Sequence, residues 1–168
     1  MITDPKVYVG TYAKYNNGSI TGEWLTISDY SDKDDFLEAC KALHPDESDP
    51  EFMFQDHDGI PEGMYGESHL ADELFEYAAL DEGNMETVWV CRENVDCSMS
   101  IADCLDAFAG TYDSSSDYAQ STSEDGGMEI PEHLQYYIDW TSMARDWELT
   151  GDVTYVHHEG TIWVFRSL

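Results

Sequence analysis

Lysine and arginine are nearly missing from this chain. Seven of them face 36 Asp and Glu among 168 residues, which gives a formal net charge of −29 and a pI near 4.1. No cation occurs between Ala42 and Cys91 or between Glu93 and Ala144, so Arg92 alone separates two long anionic stretches. Long apolar runs are missing too. None approaches the roughly 18 residues that span a bilayer, and an acidic surface is repelled by anionic lipid, which argues against a membrane role. Met1-Ile2-Thr3-Asp4-Pro5 offers no basic leader region. The four cysteines, Cys40, Cys91, Cys97 and Cys104, show no C-x-x-C spacing, as expected of a reduced, cytoplasmic protein with free thiols.

What is present is enough to fold. Hydrophobic residues make up 42% and aromatics 13%, too many for a disordered acidic tail. The acids are dispersed singly or in pairs among apolar residues, as in Asp72-Glu73-Leu74-Phe75-Glu76-Tyr77. That pattern sets carboxylates on the outer faces of folded elements rather than in a solvated block. The self-repulsion is larger than solubility requires, since a net charge of roughly 2–8 suffices for a small domain.

Sites for chemistry are not apparent. Asp56-His57-Asp58-Gly59 resembles part of a calcium loop, but the first and last ligand positions would be Phe54 and Tyr65. His157 and His158 fall on a strand pattern, which points their rings to opposite faces. Nucleophile elbows and glycine-rich phosphate loops are lacking, and acids are so common that no carboxylate pair stands out. The reading is no enzyme, no metal and no cofactor.

Alternation predicts strands over residues 6–12 and 20–27, joined by a turn at 14–19, with a helix over 32–43 capped by Ser31 and a third strand over 51–56. A helix capped by Ser68 follows, with Leu70, Leu74, Tyr77 and Ala78 on one face. The β-branched run 87–91 is assigned to helix, and Ser100 opens another whose apolar side is Ile101, Leu105, Phe108 and Ala109. The serine-rich stretch 114–127 is the weakest for order, with a short helix at Tyr118-Ala119. A helix over 131–150, stopped by Gly151, would line up Glu132, Asp139 and Asp146 about 10.5 Å apart. A hairpin turning at Glu159-Gly160 closes the chain. The order is mixed α and β, then helical, then mixed again.

Duplex DNA carries one negative charge per ~1.7 Å of axis, so 29 charges correspond to about 49 Å of duplex, and a dimer to about 100 Å. A folded protein of that charge density can compete for a basic DNA-binding groove. The residues fit this. Val7-Tyr8-Val9-Gly10-Thr11-Tyr12-Ala13-Lys14-Tyr15-Asn16-Asn17-Gly18, Gly22-Glu23-Trp24-Leu25, Asp56-His57-Asp58-Gly59, Ile130-Pro131-Glu132-His133-Leu134-Gln135-Tyr136-Tyr137-Ile138-Asp139-Trp140 and Ala144-Arg145-Asp146-Trp147-Glu148-Leu149 together resemble the ArdA antirestriction family, DNA-mimic proteins carried on mobile elements.

The resemblance implies an α+β fold in an elongated chain of three small domains. These are a sheet-plus-helix domain over 1–61, a helical bundle over 62–106, and an α+β domain over 107–168 that holds the antirestriction motif and the interface of a homodimer. It implies, as partner, a type I restriction-modification enzyme, bound through its methyltransferase core and as the full nuclease complex in place of DNA, so that no nucleic acid is bound. Motif positions carried over are Leu134, Gln135, Tyr137, Ile138, Asp139, Ala144, Arg145, Asp146 and Leu149. The acids expected to form the partner-binding surface are Asp56, Asp58, Glu67, Asp72, Glu73, Glu76, Asp81, Glu82, Glu86, Asp103, Asp106, Asp113, Asp117, Glu132, Asp139 and Asp146. Two other readings predict different behaviour. A salt-adapted acidic chain would unfold in dilute buffer, and an acidic chaperone-like module shielding basic DNA-binding proteins would bind many cations with little shape preference.

Overall fold

Val7, Val9 and Thr11 alternate with Lys6 and Tyr8, and this two-residue period makes β1 (Lys6–Thr11) the centre of a three-stranded antiparallel sheet. The strand order is β2 (Glu23–Thr26), β1, β3 (Phe52–Asp58). A register shift between Tyr8 and Val9 leaves Gln55 as the extra residue of a bulge in β3. The turn expected at 14–19 starts inside a short helix, α1 (Tyr12–Asn16), because Thr11 Oγ1 accepts from Lys14 N and caps it. In α2 (Lys33–Leu43) the cap is Asp32 rather than Ser31. Asp32 accepts from Asp35 N, while Asp35 accepts from Ser31 N, so two backbone donors at the start of the helix are satisfied by carboxylates. Phe36 of α2 is fully buried, its ring set against those of Tyr30, Phe54 and Phe75.

The computed structural model describes residues 3–126 and 130–168. Met1, Ile2 and Gly127, on which the leader and serine-rich readings partly rest, lie outside them. Two compact units emerge, Met1–Ile101 and Ala102–Leu168. No helix among the described residues is long and apolar enough to cross a membrane.

In the first unit the helix expected from Ser68 starts later. β4 (Tyr65–Gly66) and β5 (His69–Leu70) form a small hairpin with Glu67 and Ser68 at its turn, and α3 (Glu73–Ala78) follows. Leu70 and Leu74 are four residues apart and both buried, so helical spacing alone could not tell a strand end from a helix start. The run 87–91 lies within α4 (Glu82–Asn94), capped by Asp81, which accepts from Asn84 N. Here burial outweighs β-propensity, since Val88, Val90 and Cys91 are all fully enclosed.

His44 ends α2 at 1% exposure, with its ring against Phe52. Lys14 Nζ lies 2.9 Å from its Nδ1 and donates to it, which requires a neutral imidazole. Lys14 also reaches Asp46 at 2.9 Å and Glu47 at 3.6 Å, and Thr11 donates to Glu47. Burial first, then the Lys14 ammonium, hold His44 below its ordinary pKa of 6.5, although Glu47 and Asp46 pull the other way. The sign is clear. A depressed folded value means this stabilisation is complete above pH 6.5 and is lost as pH falls through the lowered value. Thermal melting should therefore fall as pH is lowered from 7 to 5. In His44→Gln the drop should be smaller, and equal drops in both proteins would contradict the assignment.

The second unit corrects the sequence reading most. α5 (Ile101–Ala107) stops at Ala107, and Phe108 and Ala109 enter β6 (Phe108–Tyr112) instead of extending the helix. Gly110, at φ 122°, takes a backbone shape closed to a helix, and β6 pairs with β8 (Thr161–Arg166). The sheet order is β6-β8-β7, where β7 (Val153–His158) and β8 form the expected hairpin. Glu159 and Gly160 both have positive φ, as a two-residue turn of this hand needs. The serine-rich stretch is ordered as α6 (Ser115–Asp125), because Ser114 caps it and Tyr118, Ala119 and Ser123 are buried.

The helix expected over 131–150 is two helices, α7 (Glu132–Gln135) and α8 (Trp140–Thr150). Asp139 turns its carboxylate onto Ser142 N at 2.9 Å and Ser142 Oγ at 2.8 Å, starting α8 afresh. Gly151, left-handed at φ 81°, ends it.

Candidate partner-binding surface

The first unit carries 23 acids and five cations, the second 13 acids and two. Both are therefore strongly anionic by themselves. Of the sixteen acids predicted for the surface, thirteen are exposed and three, Asp58, Glu73 and Glu86, are half-buried. They are carried by different elements. Asp56 and Asp58 end β3, Glu67 turns the β4–β5 hairpin, and Asp72, Glu73, Glu76, Asp81, Glu82 and Glu86 follow along α3 and α4. In the second unit Asp103 and Asp106 lie on α5, Asp113 follows β6, Asp117 lies on α6, Glu132 on α7 and Asp146 on α8.

Several of these charges are fixed by the fold. Asp81 and Asp139 serve as helix caps, and backbone N–H groups donating to them hold both below the usual carboxylate range. Asp32 caps α2 in the same way. A capping carboxylate is ionised and oriented, unlike a long side chain free in water. The sequence reading had missed this double use, although Asp one residue before a helical pattern is its signal.

Other acids are neutralised in place. Asp58 pairs with Lys6 at 3.2 Å and accepts from Thr3, Asp72 pairs with Lys33 at 2.8 Å, and Glu73 binds Arg92 at 2.5 Å. The Lys6 and Lys33 bonds depress Asp58 and Asp72. Asp58 thus answers a cation of its own chain, Asp56 accepts from His57 N, and the His57 ring stacks on Tyr65 with centroids 4.1 Å apart. Asp56, His57 and Asp58 are thus the paired end of β3, opposite Tyr8, Val7 and Lys6, with Gly59 just beyond it.

The ladder of Glu132, Asp139 and Asp146 is not formed, because the break at Asp139 puts its members on α7, at a cap and on α8. The motif around it divides by burial. Ala144 is fully buried in α8, which packs on α6. Gln135, Arg145 and Asp146 are exposed, and Ile138 is half-buried. Leu134, Tyr137 at 84% and Leu149 at 72% stand out in solvent, as does Tyr136 at 92%, which the sequence reading had not singled out. Large apolar groups this exposed, on one short stretch of one unit, form a surface that gains from being covered.

A cleft of about 290 Å³ in the second unit is lined by Asp113, Ser114, Ser115, Glu148, Tyr155, His157 and Ile162. Ser114 Oγ is already engaged with Ser116, Asp117 Oδ2 and Asp117 N. Its hydroxyl serves the cap of α6.

A comparison with curated proteins finds no match. A family model described as antirestriction protein (ArdA) matches residues 7–161, and so covers most of both units and the whole 130–149 segment. With its carboxylates displayed on both units and its motif on α7 and α8, the chain belongs to the ArdA family of antirestriction proteins.

Proposed function

We propose that the protein is a DNA mimic that competitively occupies the DNA-binding groove of type I restriction-modification enzymes, with no chemistry of its own. The observation that carries this reading is the display of thirteen exposed acids on separate elements of two anionic units, in a member of an antirestriction family. Both the methyltransferase core and the full nuclease complex are its targets. The working form is a homodimer joined through the exposed apolar groups of α7 and α8, and it binds no nucleic acid itself. The proposed organisation is three domains, 1–61, 62–106 and 107–168, of which the first boundary falls inside the first unit. Lys33–Asp72 and the Phe36–Phe75 ring contact tie the first two of these together.

Affinity spread over many carboxylates has a testable signature. Exposed charge pairs contribute about 0.2–1 kcal/mol each, so Glu76→Gln alone should weaken binding to the methyltransferase core by no more than about fivefold. Neutralising Glu67, Glu76, Glu82, Asp106 and Asp113 together should weaken it by about tenfold or more, without lowering the melting temperature. Loss of all binding on replacing one exposed acid would instead indicate a discrete site. Equal capture of assorted basic proteins would favour the chaperone-like reading.

A further inference from the structure

Residues 5–28 are the part of the chain with the least acid: Glu23 against Lys6 and Lys14. Both lysines are spent on pairs, with Asp58 and Asp46, so the stretch offers a partner almost no net charge. It also carries three exposed large apolar side chains, Tyr15, Trp24 and Ile20, the last at 73%. The fold holds them in place. Tyr8 Oη donates to the carbonyls of Ile20 and Gly22, at 3.0 and 2.9 Å, and its ring meets Trp24 edge-on at 5.6 Å. Gly18 N–H donates to the Tyr15 carbonyl, which folds the loop back on α1. Trp24 lies on β2, an edge strand of the sheet.

We infer that this α1–β2 corner is a second contact surface for the partner protein, docking on an uncharged apolar patch outside its basic groove. The inference rests on the DNA-mimic reading above. Charge decides the occupant. A basic groove gains from carboxylates, which this corner lacks, and anionic lipid would be repelled by the rest of the unit. Ile20 is anchored through its backbone and contributes little side-chain burial to the core, so its exposure is free to serve a partner. Aromatic and aliphatic anchors of this kind supply affinity that salt does not screen.

Ile20→Asp and Tyr15→Ser test it, with the full-length protein displacing duplex DNA from a type I methyltransferase core at low and high salt. Both variants should displace DNA roughly tenfold less well, by the same factor at both salt concentrations. The sign for Ile20→Asp is the sharpest readout, because an added carboxylate helps in a basic groove and harms on an apolar patch. Unchanged displacement, or tighter displacement by Ile20→Asp at low salt, would overturn the inference. So would unchanged displacement with lost self-association, which would give the corner to a second copy of the chain. Failure of the unaltered protein to displace DNA would sink the mimic reading as well, whereas normal displacement by both variants would sink this inference alone.

Discussion

Glu73→Ala should unfold the first unit at temperatures where the unaltered protein is native, at a cost of about 2–4 kcal/mol. Glu73 Oε2 takes the Arg92 guanidinium at 2.5 Å, and Oε1 accepts from Ile101 N at 3.3 Å. The pair is asymmetric: the Arg92 side chain is 4% exposed and that of Glu73 is 35%. Removing the glutamate strands a buried cation, while removing the arginine leaves a carboxylate that water can reach. Water entering the vacated site keeps the cost below the full range for enclosed pairs. Arg92→Met should accordingly cost less than Glu73→Ala, although both delete the same contact. Urea denaturation of the two variants decides this, and the reverse order would contradict it. Any loss of antirestriction in Glu73→Ala then reports unfolding and not a missing surface charge.

Tyr118→Ala should cost about 3–5 kcal/mol and leave the second unit unfolded. Tyr118 is buried among Val153, Ile162 and Val164, with the rings of Tyr112, Trp147 and Tyr155 edge-on around it at 5.0–6.0 Å. It links α6 to α8 and to both strands of the closing hairpin. A unit this small has little core to spare, so a cavity at its centre removes most of its margin. Near-ultraviolet circular dichroism should lose the signal of the ring cluster, and the self-association proposed for α7 and α8 should go with it. A melting temperature within a few degrees of the unaltered protein would show that the cluster is not the core of this unit.

How much of this was legible in the sequence depended on how long a regular pattern ran. Strand alternation placed β1, and Glu159-Gly160 fixed the closing turn, because two positive φ values have few other sources. Periodicity misled where two structures share a spacing. Leu70 and Leu74 suit one helix face as well as a strand end, and Phe108 continues the helical stripe of Ile101 and Leu105 while pairing in a sheet. Composition misled over 114–127, where serine content suggested weak order around a short helix at Tyr118-Ala119, yet Ser114 caps an eleven-residue helix and Tyr118 buries it. Although Asp58, Glu73 and Glu86 are half-buried, the exposure of most of the acidic surface was readable from carboxylate chemistry. Its pairings were not, since Lys33 meets Asp72 and Arg92 meets Glu73 only after folding. The break at Asp139 turned on a single side chain choosing to cap.

An acidic surface that stands in for DNA must compete with duplex for one basic groove. A type I methyltransferase core held on labelled duplex would be titrated with this protein at two salt concentrations. DNA mimicry predicts displacement at near-stoichiometric protein, weaker at the higher salt because screening reduces the attraction of the carboxylates for the groove. No displacement at any ratio by folded protein would contradict it.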